Sequence, residues 1–267
     1  MSADVSAVIV SWNSAADLPR ALGSLAGAIA EAIVVDNASD DASAEVARGL
    51  HARVISNPRN LGFARAANQG LRAARTRLVL VLNPDAELRP GALQALVDAV
   101  GSRPRVAVAG PRTRNEDGTI QVSFGRDLTP AVERRQRRLV LGVERRDPAV
   151  LSEVEDSTSR EQTPDWVSGA CWLARREALE SVGLFDEGYF LYEEDADLCR
   201  RLRASGWEIV FTPAAEIVHR KGRSADRSAG LAQREYDRSH LRYYRKFNGG
   251  LQTFWLWVSL VMRGRAG

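Results

Sequence analysis

Asp85 closes the segment L-V-L-V-L-N-P-D at residues 78–85. Five apolar residues run unbroken into a short polar turn, the pattern of a strand buried on both faces. In an open parallel α/β sheet, ligands sit beyond the carboxyl ends of such strands, so Asp85 is delivered to that crevice. Beside a nucleotide diphosphate, a carboxylate serves by holding a divalent cation, because two anions are otherwise poor neighbours. The alternative is a carboxylate that only caps the turn or the helix after Pro90. Asp36 ends a second apolar segment, where it can accept a hydrogen bond from a base N–H. A third acidic set, Asp186, Glu187, Glu193, Glu194 and Asp195, is interleaved with aromatic residues. Acids in a first helical turn suit the helix dipole, but this set is larger than capping needs.

The elements that must position these groups follow from hydrophobic periodicity. Residues 6–12 read as a buried strand, and Asn13-Ser14 starts a helix over 15–25. No G-x-G-x-x-G follows this strand, which argues against a dinucleotide-binding dehydrogenase. A second strand at 32–35 leads to a helix at 42–50 capped by Ser39 or Asp40. A short strand at 53–56, a turn at 57–63 and a helix at 64–74 precede the strand of Asp85. A helix at 91–100 and a strand at 106–109 complete the series. This β-α alternation with short loops predicts a parallel α/β sheet with right-handed crossovers.

From residue 112 to 164 the chain is polar, weakly periodic and equal in acids and bases. The arginine-rich run at 133–138 reads as a solvated helix face, and 147–162 as a mobile loop or lid. Order returns with a strand at 165–173 and a helix at 176–182. The acidic set then opens a helix to about residue 204. Two strand-like segments follow, 207–212 and 215–219. Residues 231–247 predict a basic helix bearing Tyr236, Tyr243, Tyr244 and Phe247, broken by Gly249-Gly250.

At 45% hydrophobic and 27% charged, the 267 residues suit a globular protein. Two cysteines form no disulfide framework, and no secretory leader follows Met1, so a reducing, cytoplasmic setting is expected. Between Arg220 and Arg265 there are eleven Lys and Arg against three acids, giving that segment +8 of a chain total of +3. A basic tail on an acidic body predicts an anionic partner, with a solvated helix as the alternative. Residues 251–262 are apolar with two Trp, too few to span a bilayer but suited to an interfacial helix on anionic lipid. Docking on the domain or in a homodimer interface is the alternative.

The ordered motifs resemble the family-2 inverting glycosyltransferases, and within them the bacterial rhamnosyltransferase-like branch. They are V-S-W-N at 10–13, V-V-D-N-A-S at 34–39, N-L-G-F-A-R-A-A-N-Q-G at 60–70 and L-N-P-D at 82–85. G-L-F-D-E at 183–187, F-L-Y-E-E-D-A-D-L-C-R-R at 190–201 and H-R-K-G-R-S at 219–224 complete the set. The resemblance implies an A-type glycosyltransferase fold, α/β and mostly parallel, over residues 1–225. Within it, 1–110 form the nucleotide-binding half, 111–164 a variable insertion and 165–225 the acceptor half, and 226–267 form a helical tail.

By the same resemblance, Asp36 reads the uracil or thymine ring in a pocket lined by Ser11 and Asn13, and Arg65 approaches the pyrophosphate. Asn83 and Asp85 stand at the two acidic positions of the family's D-x-D motif, so one acidic ligand is replaced by an amide. Asp85 and His219 bind Mg²⁺ or Mn²⁺. Asp195 is the catalytic base with Glu194 beside it, and Trp166, Gly169 and Ala170 border the sugar and acceptor. The chemistry fits these residue types: neighbours such as Glu194 and Asp197 raise a base's pKa, and a bound cation steadies the departing diphosphate.

The expected activity is transfer of a sugar, first L-rhamnose from dTDP-rhamnose and otherwise a hexose from a UDP-sugar. The expected acceptor is a carbohydrate or lipid-linked carbohydrate in cell-surface polysaccharide assembly, with peripheral contact to an anionic membrane. A nucleotidyltransferase would need a Gly-rich basic loop after the first strand, which is missing. A non-catalytic sugar-binding scaffold would not need Asp85, Asp195 and His219 together. Nucleic acid is not expected as a partner, because it suits the Trp-rich end poorly.

Overall fold

The computed structural model of the chain describes residues 4–220 and 229–262. Lys221 to Ser224 of the H-R-K-G-R-S motif, and Arg263 and Arg265, lie outside them. The strands are β1 (Val5–Ser11), β2 (Glu31–Asp36), β3 (Arg53–Ser56), β4 (Leu78–Leu82), β5 (Ala86–Leu88), β6 (Val106–Arg114), β7 (Phe124–Gly125), β8 (Trp166–Val167), β9 (Cys171–Arg175) and β10 (Glu208–His219). The helices are α1 (Leu18–Gly23), α2 (Ser43–Gly49), α3 (Phe63–Ala73), α4 (Ala92–Gly101), α5 (Pro130–Glu144), α6 (Pro148–Ser157), α7 (Arg176–Ser181) and α8 (Glu194–Ala204). The tail adds α9 (Ala229–Phe247) and α10 (Gly250–Met262).

Eight strands form one sheet in the order β3-β2-β1-β4-β9-β6-β10-β5. β3, β2, β1 and β4 are parallel, as the β-α alternation requires. β9 then runs antiparallel between β4 and β6, and β5 antiparallel to β10, so only the first half is a pure βα series. Every residue of β1 is buried. Val8 and Val10 join one core with α3, α8 and the tail tyrosines, while Val5, Ala7 and Ile9 join the other with α1 and α4. Period-two alternation thus assigns one strand to two cores. Gly70 permits α3 to lie close on β1, since a Cβ there would meet Val8 Cγ1 at 2.3 Å.

Four predicted elements differ. Residues 147–162 are mostly helix rather than loop: Asp147 caps α6, accepting from the Ala149 and Val150 N–H groups, with Pro148 at the first helical position. The stretch 165–173 divides into β8 and β9 around the Ser168–Gly169–Ala170 turn, because β8 pairs with β7 outside the main sheet. Residues 207–219 make one strand, β10, with a register shift between Thr212 and Glu216, not two. α1 starts at Leu18 rather than after Ser14, because Asn13 is left-handed at φ 52° and a turn intervenes. The Ser39 hydroxyl caps no helix but accepts the Asn13 N–H at 2.9 Å.

Candidate active site

The carboxyl ends of β1, β2 and β4 and the loops facing them bring most of the candidate residues together. Ser11 and Asp36 end β1 and β2 in register. Both are buried, yet Ser11 Oγ and Asp36 Oδ1 have no hydrogen-bond partner. Unpaired buried polar atoms are costly, and a bound donor and acceptor would satisfy this pair. Asn13 locks the loops beyond: its Oδ1 accepts the Asp40 N–H at 2.7 Å. Arg65, in the first turn of α3, donates from Nε to the Glu187 carbonyl at 3.3 Å, so its guanidinium already leans on the 183–187 turn.

Besides the sheet pairing, two backbone hydrogen bonds hold the loops of the site against one another. Asn83 N–H donates to the Ala170 carbonyl at 2.9 Å, holding the Asp85 turn against the β8–β9 turn. Phe63 N–H donates to the Phe190 carbonyl at 2.6 Å. Gly62, at φ +81°, is required there, because a Cβ would lie 2.5 Å from that same carbonyl oxygen.

Asp85 Oδ1 lies 3.2 Å from His219 Nε2, with both side chains largely shielded. The other ring nitrogen, Nδ1, faces Gln121 Oε1 at 3.1 Å. The Gln121 amide nitrogen donates to the His219 carbonyl at 2.8 Å and to Asn115 Oδ1 at 2.7 Å, which fixes the amide's orientation. The network therefore assigns the neutral ring's proton to Nδ1 and a lone pair to Nε2. That lone pair faces a carboxylate oxygen, an arrangement that a cation between them relieves. The donor set, one imidazole and one carboxylate, fits Mn²⁺ or Mg²⁺ whose remaining shell is phosphate oxygen and water. Among the described residues, no group of three or more His, Cys, Asp and Glu forms a metal cage.

Asp195 opens α8. Its Oδ2 accepts the Gly169 N–H at 2.8 Å and its Oδ1 the Ala196 N–H at 2.8 Å. Burial lifts the Asp195 carboxyl to about 6, with the charge of Glu193 adding to the rise and the two N–H bonds opposing it. Glu194 is buried with Oε2 unpartnered, and burial, then the charge of Asp195, holds it well above the carboxylate range. Trp166 is buried and donates from Nε1 to the Arg126 carbonyl, so it supports the β8–β9 turn from behind.

Asp197 does not act on Asp195 as expected. It is fully buried and faces away, bonded to Tyr189 Oη at 3.2 Å and to Arg201 and Lys246. Gln121 escaped the sequence reading because it lies in the stretch taken as a variable insertion. Nothing in its local pattern marks it; only the fold brings it to His219.

Comparisons with known proteins bear on the fold and the family. Residues 6–183 match the family model described as glycosyl transferase family 2. The chain is 34% identical over 238 residues to the N-acetylglucosaminyl-diphospho-decaprenol L-rhamnosyltransferase of Mycobacterium tuberculosis, covering 82% of this chain and 77% of that one. It is 24% identical over 220 residues to a low-salt glycan biosynthesis hexosyltransferase of Haloferax volcanii, 81% of this chain and 67% of that one. Among solved structures, GalNAc-T7 with UDP, GalNAc and Mn²⁺ aligns with TM-score 0.64 and 16% identity over 90% of this chain and 47% of its own. A mannosyltransferase of Pyrobaculum calidifontis with GDP-Man and Mn²⁺ gives TM-score 0.64 and 17% identity over 92% and 64%. At such identities these two establish a shared fold, that of the A-type glycosyltransferases. On the family match and the mycobacterial relative together, the chain belongs to glycosyl transferase family 2.

Proposed function

We propose that this chain is a metal-dependent inverting glycosyltransferase moving L-rhamnose from dTDP-rhamnose to a lipid-linked carbohydrate acceptor. The observation that carries the reading is the short relay Asp85–Asn83–Ala170–Gly169–Asp195. Through it a cation-ready carboxylate and a carboxylate raised to about 6 share one rigid frame. The mycobacterial relative's rhamnose transfer to a diphospho-decaprenol-linked sugar supports the choice of sugar and acceptor.

In this mechanism Ser11 and Asp36 bind the base, satisfying their orphaned oxygens. Asp195 takes the proton from the acceptor hydroxyl as that oxygen bonds to the anomeric carbon. The bond from that carbon to the diphosphate oxygen breaks on the opposite face, so configuration inverts. Asp85 and His219 would hold Mg²⁺ or Mn²⁺, which supplies electrophilic stabilisation of the departing diphosphate. Arg65, released from Glu187, is the residue proposed to meet the pyrophosphate. Gly169, Ala170 and Glu194 border the sugar and the acceptor, and Trp166 supports their turn from behind.

A lipid-linked acceptor calls for access to a membrane surface, and α10 offers one. It docks through Leu256 and Leu260 while Leu251, Phe254, Trp255 and Met262 stay exposed. Among the described residues no helix is long and apolar enough to cross a membrane. A peripheral helix at the inner face of an anionic plasma membrane accounts for both facts.

A thermal-shift screen with nucleoside diphosphates tests the donor and the metal together. The expected result is a Mn²⁺- or Mg²⁺-dependent shift with dTDP that Asp85→Ala abolishes. A shift with UDP alone would replace the rhamnose donor by a UDP-sugar, and no shift with any nucleotide would overturn the reading.

A further inference from the structure

α9 lies beyond the stretch that the family model covers, yet its polar side chains converge on the catalytic acidic loop. Ser239 Oγ donates to the Leu191 carbonyl at 2.8 Å. Arg242 bonds both oxygens of Asp186 at 2.9 and 3.0 Å, and its guanidinium lies 5.2 Å from the centre of the Tyr189 ring. Lys246 reaches Asp186 at 2.8 Å and also Asp197. His240 Nδ1 meets Glu193 Oε1 at 3.1 Å, while Nε2 lies 3.3 Å from Glu133 Oε2 on α5. The tail's positive charge, which the sequence suggested for an outside partner, is thus partly neutralised inside the molecule.

The loop needs such a brace. Tyr192 and Glu193 are consecutive left-handed residues at φ 71° and 64°, immediately before Glu194 and Asp195. Non-glycine residues hold that conformation only where their surroundings impose it. Two of the contacts that impose it, on Leu191 and on Glu193, come from adjacent residues of α9.

We propose that α9 is a strap that sets the catalytic loop, with buried His240, bridging Glu193 and Glu133, as the positioning residue that aims Asp195. The proposal rests on Asp195 being the base. His240 is sandwiched between Tyr236, stacked at 5.4 Å, and Tyr244 at 4.9 Å, and Tyr244 Oη in turn bonds Glu133. The charged groups facing it are therefore Glu193 from the loop and Glu133 from α5. Burial opposes its charge, but hydrogen bonds to the two carboxylates outweigh this and raise it to about 9. A cation beside Glu193 at neutral pH tempers the negative charge that Glu193 exerts on Asp195.

The test is His240→Gln in the full chain, with kinetics across pH and amide hydrogen exchange. The expected result is a kcat lower by about tenfold or more, with donor KM within about twofold, because the loop and not the nucleotide pocket is disturbed. The acid limb of kcat moves upward in pH, since Glu193 is left uncompensated beside Asp195. Amides of residues 190–196 exchange faster. Should His240→Gln not fold, Glu193→Gln removes the same bridge from the loop side, with the same kcat loss and faster exchange expected. A folded His240→Gln protein with kcat, acid limb and exchange all unchanged would overturn the strap. Failure of the underlying reading looks different: the wild-type chain would show no transfer, or Asp195→Asn would leave transfer intact, whatever the exchange data gave.

Discussion

The side of the site proposed to bind nucleotide and the side proposed to carry the base are built on opposite principles. At the ends of β1 and β2, Ser11 and Asp36 carry buried oxygens with no partner in the protein. Around the Glu194–Ala204 helix most of the acids are braced, Asp186 by Arg242 and Lys246, Asp197 by Tyr189, Arg201 and Lys246, and Glu193 by His240, with Glu194 Oε2 the exception. The first region stores unsatisfied binding capacity, and the second stores geometry. A base ring can be recognised by groups that wait for it, whereas a catalytic base must already stand in place when the substrate arrives.

The contrast is sharpest at Asp195. Asp195→Asn keeps a side chain for the Gly169 N–H to meet but cannot accept a proton. We expect kcat to fall by roughly 10²- to 10⁴-fold with nucleotide binding unchanged. Since the wild-type carboxyl is raised to about 6 and works only when ionised, activity falls as the pH drops through about 6. A kcat profile that stays flat from about pH 5 to about pH 8 would remove Asp195 as the base.

Two residues along the same helix, the expected loss is in stability rather than in turnover alone. Asp197→Asn weakens the charge-assisted hydrogen bonds from Arg201 and Lys246, which keep the Val182 and Leu184 carbonyls and Asp186 as partners, and such a loss costs about 1.5–3 kcal/mol. Chemical denaturation at neutral pH measures it. A loss under about 1 kcal/mol would mean that the brace is ornamental and that the two regions do not differ as described.

A third effect falls on the proposed metal pair. Gln121→Leu removes the acceptor that fixes the proton on His219 Nδ1, and loss of such a supporting partner weakens metal affinity by about 10- to 100-fold. Titration with Mn²⁺, read by its paramagnetic signal, checks this without any turnover. Unchanged affinity would show that the Asp85–His219 pair needs no support from the 115–121 segment.

The same contrast explains what could be read from the sequence. β1 to β4 and their helices were legible because each is a local signal: a buried run, a turn, an amphipathic face. Asp36, Asp85 and Asp195 stood out as candidates because each sits at an element's end beside a specific motif. The braces were not, because the partners are far apart along the chain: Gln121 with His219, Glu133 with His240, Asp197 with Lys246. The helices α5 and α6 did carry signals, Thr129-Pro130 and Asp147-Pro148, each a capping residue followed by Pro. The polar texture of that stretch hid the second, while the arginine-rich run at 133–138 already reads as a helix face and lies within α5.

The smallest predicted effect is the most direct probe of the waiting pocket. Asp36→Asn keeps size and shape but removes a buried charge whose Oδ1 has no partner. In the nucleotide-free protein this change relieves desolvation and breaks only the weak contact from the Ser39 N–H at 3.5 Å. The melting temperature should therefore hold or rise by a degree or two, as at other functional sites where stability is traded for binding; for a chain of this size that corresponds to roughly 0.5 kcal/mol. With nucleotide present the sign reverses, because an amide presents a donor as well as an acceptor toward the base N–H. The stabilisation by dTDP should shrink relative to wild type. If Asp36→Asn instead lowered the melting temperature of the free protein, Asp36 would belong with the braced acids, and the division between a waiting half and a braced half would fail at its first residue.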